Sequence, residues 1–161
     1  MLKLNSSGAY QWHTFSKPNK VNGIAVDGSG NVYVTGTSGP WGSPINPYSG
    51  NGYFFVLKLN SSGIYQWHTF YGSGIVDSVY YGSADEANAI AIDGSSNVYV
   101  TGTSYGSWGY PINPHSGSRD IFVLKLNSAG TYQWNTFYGP GAGGNGFGRI
   151  LFMNTIPCIR R

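Results

Sequence analysis

Charged residues and cysteine are scarce in this chain of 161 residues. Only 9% of the residues are charged, and Cys158 is the single cysteine. One cysteine excludes an intrachain disulfide and a cysteine-based metal site. No apolar run reaches the roughly 18 residues of a membrane span, and the first residues lack the basic and apolar regions of a signal peptide. The sequence therefore predicts no membrane insertion and shows no export signal.

The net positive charge of the chain comes from its last residues. The formal net charge is +3, yet residues 1–138 hold six basic and six acidic side chains. The excess comes from Arg149, Arg160 and Arg161. Nucleic-acid binding requires a clustered basic stripe along the phosphate contacts, so we expect no nucleic-acid partner.

Glycine and aromatic residues are abundant, and they occur in repeated phrases. The chain has 25 glycines and 16% aromatic residues, a bias that disfavours helices and suits short strands joined by tight turns. One phrase occurs three times, as MLKLNSSGAYQWHTF at 1–15, VLKLNSSGIYQWHTF at 56–70 and VLKLNSAGTYQWNTF at 123–137. Another occurs twice, as IAVDGSGNVYVTGTS at 24–38 and IAIDGSSNVYVTGTS at 90–104.

Each complete unit predicts a four-stranded antiparallel sheet. In the first unit, DGSGN and NSSG are turns that join two hairpins. The four strands are predicted at 24–26, 31–37, 54–60 and 65–70. Along the third strand Phe55, Leu57 and Leu59 alternate with Val56 and Lys58, so both faces are largely apolar and need cover. Repeated sheets supply that cover by stacking on one another.

The repeated phrases resemble a known family. DGSGNVYVTGTS, FVLKLNSSG and YQWHTFYG are similar to the SBBP repeat of bacterial secreted and cell-surface proteins, and the resemblance covers residues 1–139. It implies an all-β fold of β-propeller-type, four-stranded antiparallel blades, and an extracellular or cell-surface location. The family has no catalytic residues to transfer to this chain.

The units amount to about two and a half blades. Residues 1–15 form a half blade, 22–72 a blade, 73–88 an insertion loop, 88–139 a second blade, and 140–161 an aberrant tail or cap. Closed propellers have about four to eight blades, so we expect an open or partial propeller. Met1 stands where the other copies have valine, which suggests a reading frame begun inside a longer repeat gene. The tail is either a degenerate cap or a truncated or frame-shifted end.

Two loops carry the candidate ligand-binding residues. Trp41 with Tyr48 and Trp108 with His115 occupy matching positions in Trp/Pro loops. Loop aromatics on a rigid scaffold can stack on sugars or anchor a protein. Packing on a neighbouring blade explains the same residues and is the favoured interpretation.

The two aspartate turns resemble the start of a calcium loop. Asp27, Ser29 and Asn31, and again Asp93, Ser95 and Asn97, stand at alternate positions, but no bidentate glutamate follows. An Asx-type hairpin turn is the preferred interpretation. We therefore predict no metal site and no cofactor.

The sequence favours a non-enzymatic module. Neither a nucleophile with its base nor a repeated carboxylate pair is visible. We expect a structural or interaction fragment of a larger β-propeller surface protein. Its partners would be further blades, other copies of itself, or a glycan or protein ligand. The alternative is a carbohydrate-binding module, and a hydrolase is the least favoured.

Overall fold

The computed structural model describes residues 1–14, 20–48, 52–75 and 85–139. These residues contain ten strands and no helix. The predicted tail at 140–161 and most of the predicted insertion lie outside the described residues. The strands are β1 (Leu2–Leu4), β2 (Tyr10–His13), β3 (Lys20–Val26), β4 (Val32–Thr37), β5 (Phe54–Leu59), β6 (Tyr65–Tyr71), β7 (Glu86–Ile92), β8 (Val98–Ser104), β9 (Asp120–Leu126) and β10 (Tyr132–Tyr138).

The strands form three antiparallel sheets. β3-β4-β5-β6 is the first sheet, β7-β8-β9-β10 is the second sheet, and β1 and β2 form a separate N-terminal hairpin. Each four-stranded sheet is a simple meander in which consecutive strands pair. This arrangement confirms the predicted all-β class of open, four-stranded blades.

The asparagine turns between β1 and β2, β5 and β6, and β9 and β10 share one conformation. In the first sheet, the Asn60 side-chain oxygen accepts hydrogen bonds from the backbone N–H groups of Ser62 and Ile64. Gly63 closes the turn with a φ of 78°, a conformation that a residue with a Cβ adopts only with strain. The repeated NSSG phrase therefore encodes a tight hairpin turn, as predicted.

β3 and β7 begin earlier than the predicted strand and blade boundaries. β3 begins at Lys20 and β7 at Glu86, because each pairs with the far end of its partner strand beyond a bulge. The bulge brings backbone so close to the partner that a Cβ at Gly36 would collide with the carbonyl oxygen of Lys20. Gly102 meets Glu86 in the same way. The glycine of the VTGT phrase is therefore required by close packing.

Side chains from the two faces of the first sheet enter different cores. The predicted alternation is confirmed, because Phe55, Leu57 and Leu59 lie in one cluster while Phe54 and Val56 lie in another. The second cluster is shared with the second sheet. Its buried members are Tyr33, Phe54, Val56, Tyr71, Ala87, Val98, Val100, Trp108, Phe122, Leu124, Leu126 and Phe137. The first sheet is thus sandwiched, and the two blades stack face to face.

Candidate functional site

The two loop tryptophans are packed into the blade cores. The Trp41 ring stacks on His68 with 3.6 Å between ring centroids and 9° between planes, and it meets Phe55 and Phe70 edge-on. Trp108 is only 7% exposed, and its indole N–H donates to the Ser104 hydroxyl at 3.1 Å. These contacts use ring surface that a sugar would need, and they support packing as the role of both residues.

Tyr48 and His115, the other two candidate ligand residues, pack in the same manner. Tyr48 meets the edge of Phe70 at 5.4 Å, and His115 meets Phe137 at 5.5 Å. Burial raises the pKa of Tyr48. The structure therefore places each beside the phenylalanine of its own outer strand. It does not bring the four candidate residues together into one site.

A histidine in one blade and an asparagine in the other perform the same bridging role. The Tyr65 hydroxyl and His68 Nδ1 are 2.9 Å apart, and His68 Nε2 lies 2.8 Å from the Trp41 carbonyl oxygen. Because the carbonyl can only accept, Nε2 carries the proton and Nδ1 accepts from the tyrosine. Asn135 makes the equivalent pair of bonds in the second sheet, at 2.6 and 3.0 Å. Burial lowers the pKa of His68, which keeps the ring neutral.

The aspartate turns are held by hydrogen bonds to their own residues. Asp27 Oδ1 accepts from the backbone N–H groups of Ser29 and Asn31, and Oδ2 accepts from the Asn31 side chain and the Tyr33 hydroxyl. Burial opposes ionisation of Asp27, but these hydrogen bonds outweigh it and lower its pKa. The carboxylate oxygens are thus used in an Asx turn, which supports the preferred interpretation.

Asp93, Ser95 and Asn97 repeat this turn in the second sheet. Asp93 accepts from both backbone and side chain of Asn97 and from the backbone of Ser95. The Asn97 side-chain bond is the largest cause of a lowered Asp93 pKa. Across the described part of the chain, no group of three or more histidine, cysteine or acidic residues could hold a metal ion.

A cavity of about 320 Å³ opens between the two sheets. Aromatic residues from both blades line it, so it exists only where the sheets stack. The sequence did not predict this cavity, because Tyr53 and Tyr71 come from one copy of the repeat and Tyr110 and Tyr132 from the next. Its lining is Asn46, Tyr53, Tyr71, Gly72, Trp108, Gly109, Tyr110 and Tyr132. Trp108 is the only predicted site residue among them.

A lysine of the N-terminal hairpin and the equivalent lysine of the first sheet each contact the asparagine turn of the following sheet. Lys3 donates to the Ser61 carbonyl oxygen at 2.9 Å, and the Trp12 indole N–H donates to the same oxygen at 3.0 Å. One blade further on, Lys58 donates to the Ser128 carbonyl oxygen at 3.2 Å. We call this arrangement the lysine–turn contact, and it joins every pair of neighbouring sheets in the described residues.

Polar contacts near the inner strands join the two blades as well. The Asn22 side chain donates to the Ala87 carbonyl oxygen at 2.9 Å, and Lys20 pairs with Glu86 at 3.3 Å. Between the two sheets the rings of Phe54 and Phe122 stack, with 4.7 Å between their centroids. Blade stacking is therefore specified by polar contacts at the edges and by aromatic packing in the middle.

The side of the second sheet that faces away from the first sheet carries equivalent residues that are less buried. β5 is buried at Phe54 and Val56 on this face, whereas β9 alternates between buried and partly exposed positions. The equivalent residues Ile121 and Val123 are the partly exposed ones. We call this surface the end face, and it comprises Tyr99, Ile121, Val123, Lys125, Trp134 and Tyr138.

The near side of the first sheet also leaves apolar residues open. Ile24 and Val26 on β3 are 58% and 57% exposed. Their equivalents Ile90 and Ile92 pack against the shared core. The N-terminal hairpin covers only the outer part of the first sheet, so β3 lacks the neighbour that β7 has in the described structure.

Comparisons with known proteins agree with this architecture. The family model SBBP, a beta-propeller repeat, matches residues 19–39 and 66–107. The first stretch holds the β3–β4 hairpin, and the second runs from β6 into the β7–β8 hairpin. The predicted resemblance is confirmed. No curated protein matches the chain. In the described residues, no helix is long and apolar enough to cross a membrane.

Proposed function

We propose that this chain, which carries SBBP beta-propeller repeats, is a non-enzymatic structural and interaction module that associates through the faces of its blades. It would work as part of a larger repeat assembly outside the cell or at the cell surface. Its partners would be further blades, from the same chain or another.

One observation carries this proposal. β5 is covered on both faces, whereas β9 offers Ile121 and Val123 on a face that is only partly covered. Burying a large apolar side chain contributes about 1.5–3 kcal/mol, so an uncovered blade face favours association. In repeat proteins the stability of the array grows with each interface between neighbours.

The polar groups of the blades support a non-catalytic role. Asp85 is buried, and its carboxylate accepts hydrogen bonds from the Ser73 and Ser104 hydroxyls and the Tyr105 backbone. The two turn aspartates are engaged with their own turns, as described above. The hydrogen bonds of these carboxylates hold loops and turns in place, which supports a structural role for them.

Extending the array by one blade tests the proposal. A second copy of residues 73–139 would be inserted directly after Gly139, so that its sheet can stack on the end face. If the face is built for stacking, the new interface should raise the melting temperature, at about 2–4 °C for each kcal/mol gained in a chain of this size.

The matched control is the same extended chain carrying Val123→Asp. A charge placed in the new interface should remove most of the gain. The proposed function would be contradicted by an extended chain without Val123→Asp that melts at the original temperature, or by a gain that Val123→Asp leaves intact.

The cavity between the sheets supports a second candidate, carbohydrate binding. Aromatic side chains around a mostly apolar cavity are typical of small-ligand sites. Here the residue to test is Tyr110, because it is 89% exposed and its truncation should leave the fold intact. On a glycan array, Tyr110→Ala should lose binding while Tyr10→Ala, which is 59% exposed and outside the cavity, keeps it. Equal binding by both variants would exclude this cavity as the sugar site.

A further inference from the structure

We propose that the end face binds the N-terminal hairpin of a second copy of this chain, head to tail, through a lysine–turn contact like those within the chain. The inference rests on the proposed function and names the partner of the stacking face. Both halves of the contact are present in one molecule, at opposite ends of the described structure.

The donor half is already arranged on the end face. Lys125 lies 5.2 Å from the Tyr99 ring centre, and Trp134 meets Tyr99 edge-on at 6.4 Å. In the first sheet, the corresponding distances from Tyr33 are 5.1 Å to Lys58 and 6.2 Å to Trp67. Lys58 there donates to the next asparagine turn. Lys125 and Trp134 therefore lie around Tyr99 as Lys58 and Trp67 lie around Tyr33, but no asparagine turn lies against them in the described residues.

The acceptor half is the turn of the N-terminal hairpin. Asn5 accepts hydrogen bonds from the backbone of Ser7 and Ala9, and Gly8 has a φ of 80°. This is the conformation of the Asn60 and Asn127 turns. The Ser6 carbonyl therefore occupies the place that Ser61 and Ser128 use to accept from lysine.

The glycine of each turn shows which turns are already in use. A Cβ at Gly63 would lie 2.7 Å from the Trp12 ring, and one at Gly130 would lie 2.8 Å from the Trp67 ring. A Cβ at Gly8 would meet nothing within 4 Å. Two turns are thus covered by an indole, and the third is open to one.

Apolar residues beside the open turn complete the match. Leu2 and Leu4 are 60% and 48% exposed. Their equivalents Leu124 and Leu126 in the second sheet are fully buried against the first sheet. On the end face of another copy, Leu2 and Leu4 would meet the partly exposed Val123. The two surfaces extend the contact that already joins the two blades of one chain.

Such a contact is heterologous, since each copy offers a different surface to each neighbour. Repetition closes a ring when the rotation between copies permits, and otherwise forms an open filament. A mixture of two one-sided variants distinguishes this from other modes of association. The head variant is Leu2→Asp with Leu4→Asp, and the tail variant is Val123→Asp with Trp134→Ala.

The measurement is sedimentation velocity on the full chain at concentrations up to about 100 µM, a range that detects micromolar affinity. We expect the wild type to associate, and each variant alone to associate at least 10-fold more weakly. The mixture should form a 1:1 dimer that does not grow, because only one productive pair of surfaces remains. Circular dichroism and melting curves establish that each variant is folded.

Photo-crosslinking provides a second measurement that avoids the risk of misfolding. A photoreactive phenylalanine analogue at exposed Ser6 should cross-link to the Lys125 and Trp134 peptides of another copy. The same analogue at exposed Ser29 is the control and should not. Cross-links from Ser6 to other regions would overturn the inference, as would variants that associate like the wild type.

A wild type that stays monomeric would also overturn the inference. The proposed function is judged separately, because the extended chain tests stacking within one molecule. If the extended chain gains stability while the wild type remains monomeric, then the end face takes a blade other than that of a second copy. If neither occurs, both the proposed function and the inference are wrong.

Discussion

Truncation of Trp108 separates a packing role from a ligand-binding role. The Trp108 side chain contacts aromatic residues of both sheets, with ring centres 5.2 Å from Phe122, 5.3 Å from Phe137 and 5.6 Å from Phe54. Trp108→Ala would therefore leave a hole where the two blades meet. A tryptophan kept to bind an external ligand would instead present an open face, and its loss would barely affect folding.

The expected cost follows from this burial. Truncation of a buried phenylalanine or tryptophan to alanine costs about 3–5 kcal/mol. Because Trp108 is 7% exposed, nearly the full value should apply. Loss of its hydrogen bond leaves the Ser104 hydroxyl with its bonds to Asp85 and Gly106, so this adds about 1 kcal/mol at most. We expect a fall in unfolding free energy of about 3–5 kcal/mol.

Urea denaturation followed by circular dichroism measures this loss. Tyr110→Ala is the matched control, because it removes an aromatic residue from the same loop at an 89% exposed position. Exposed substitutions of this kind change stability by about 0.5 kcal/mol or less. If Trp108→Ala proves as mild as Tyr110→Ala, the assignment of Trp108 to the core is wrong.

Substitutions at His68, Gly130 and Asp93 test other parts of the structure. His68→Ala should lower the free energy of unfolding, measured by urea denaturation, by about 2–4 kcal/mol, because it removes two hydrogen bonds and a stacked ring. His68→Asn should lower it less, because Asn135 makes the equivalent hydrogen bonds in the second sheet. The lowered pKa of His68 means that stability declines as the pH falls below 6.5, where the unfolded histidine takes up a proton, and His68→Asn should remove that decline. Gly130→Ala adds steric overlap to backbone strain, whereas Gly8→Ala at a similar φ adds strain alone, so Gly130→Ala should lower the melting temperature further. Asp93→Asn should reduce the loss of unfolding free energy below pH 3.8, because the Asp93 carboxylate binds a proton less readily in the folded state than in the unfolded state. An unchanged dependence of the unfolding free energy on pH in this range would refute this.

The blade architecture could be predicted because it depends on local patterns. Alternation along FVLKL assigns Phe55 and Leu57 to one face and Val56 to the other, and the clusters confirm it. The asparagine and aspartate turns follow from side-chain hydrogen bonds within five residues. Such features need no knowledge of which sheet lies next to which.

The cavity and the bridging role of His68 could not be predicted, since both depend on long-range packing. Tyr71 and Tyr110 reach the cavity from different blades, and only the packing of the two sheets brings them together. His68 in one copy of the repeat stands where Asn135 stands in the next, an exchange that indicates no shared chemistry. Only the bonds to Tyr65 and to the Trp41 carbonyl reveal why both side chains fit. A repeat with unequal side chains can therefore retain one hydrogen-bond pattern.

The lysine of the LKLN phrase shows how a repeated residue can indicate an interface. A charged residue in the middle of an apolar strand face opposes stacking when it lacks a partner, because burying an unpaired charge is costly. Lys3 and Lys58 avoid this cost, because their amines donate to carbonyl oxygens of the next turn. The contact also fixes how far one blade can slide on another. Lys125 is the equivalent lysine of the second sheet, and among the described residues no turn accepts a hydrogen bond from it. The end face therefore offers a polar contact as well as apolar side chains, and this would make its choice of partner specific.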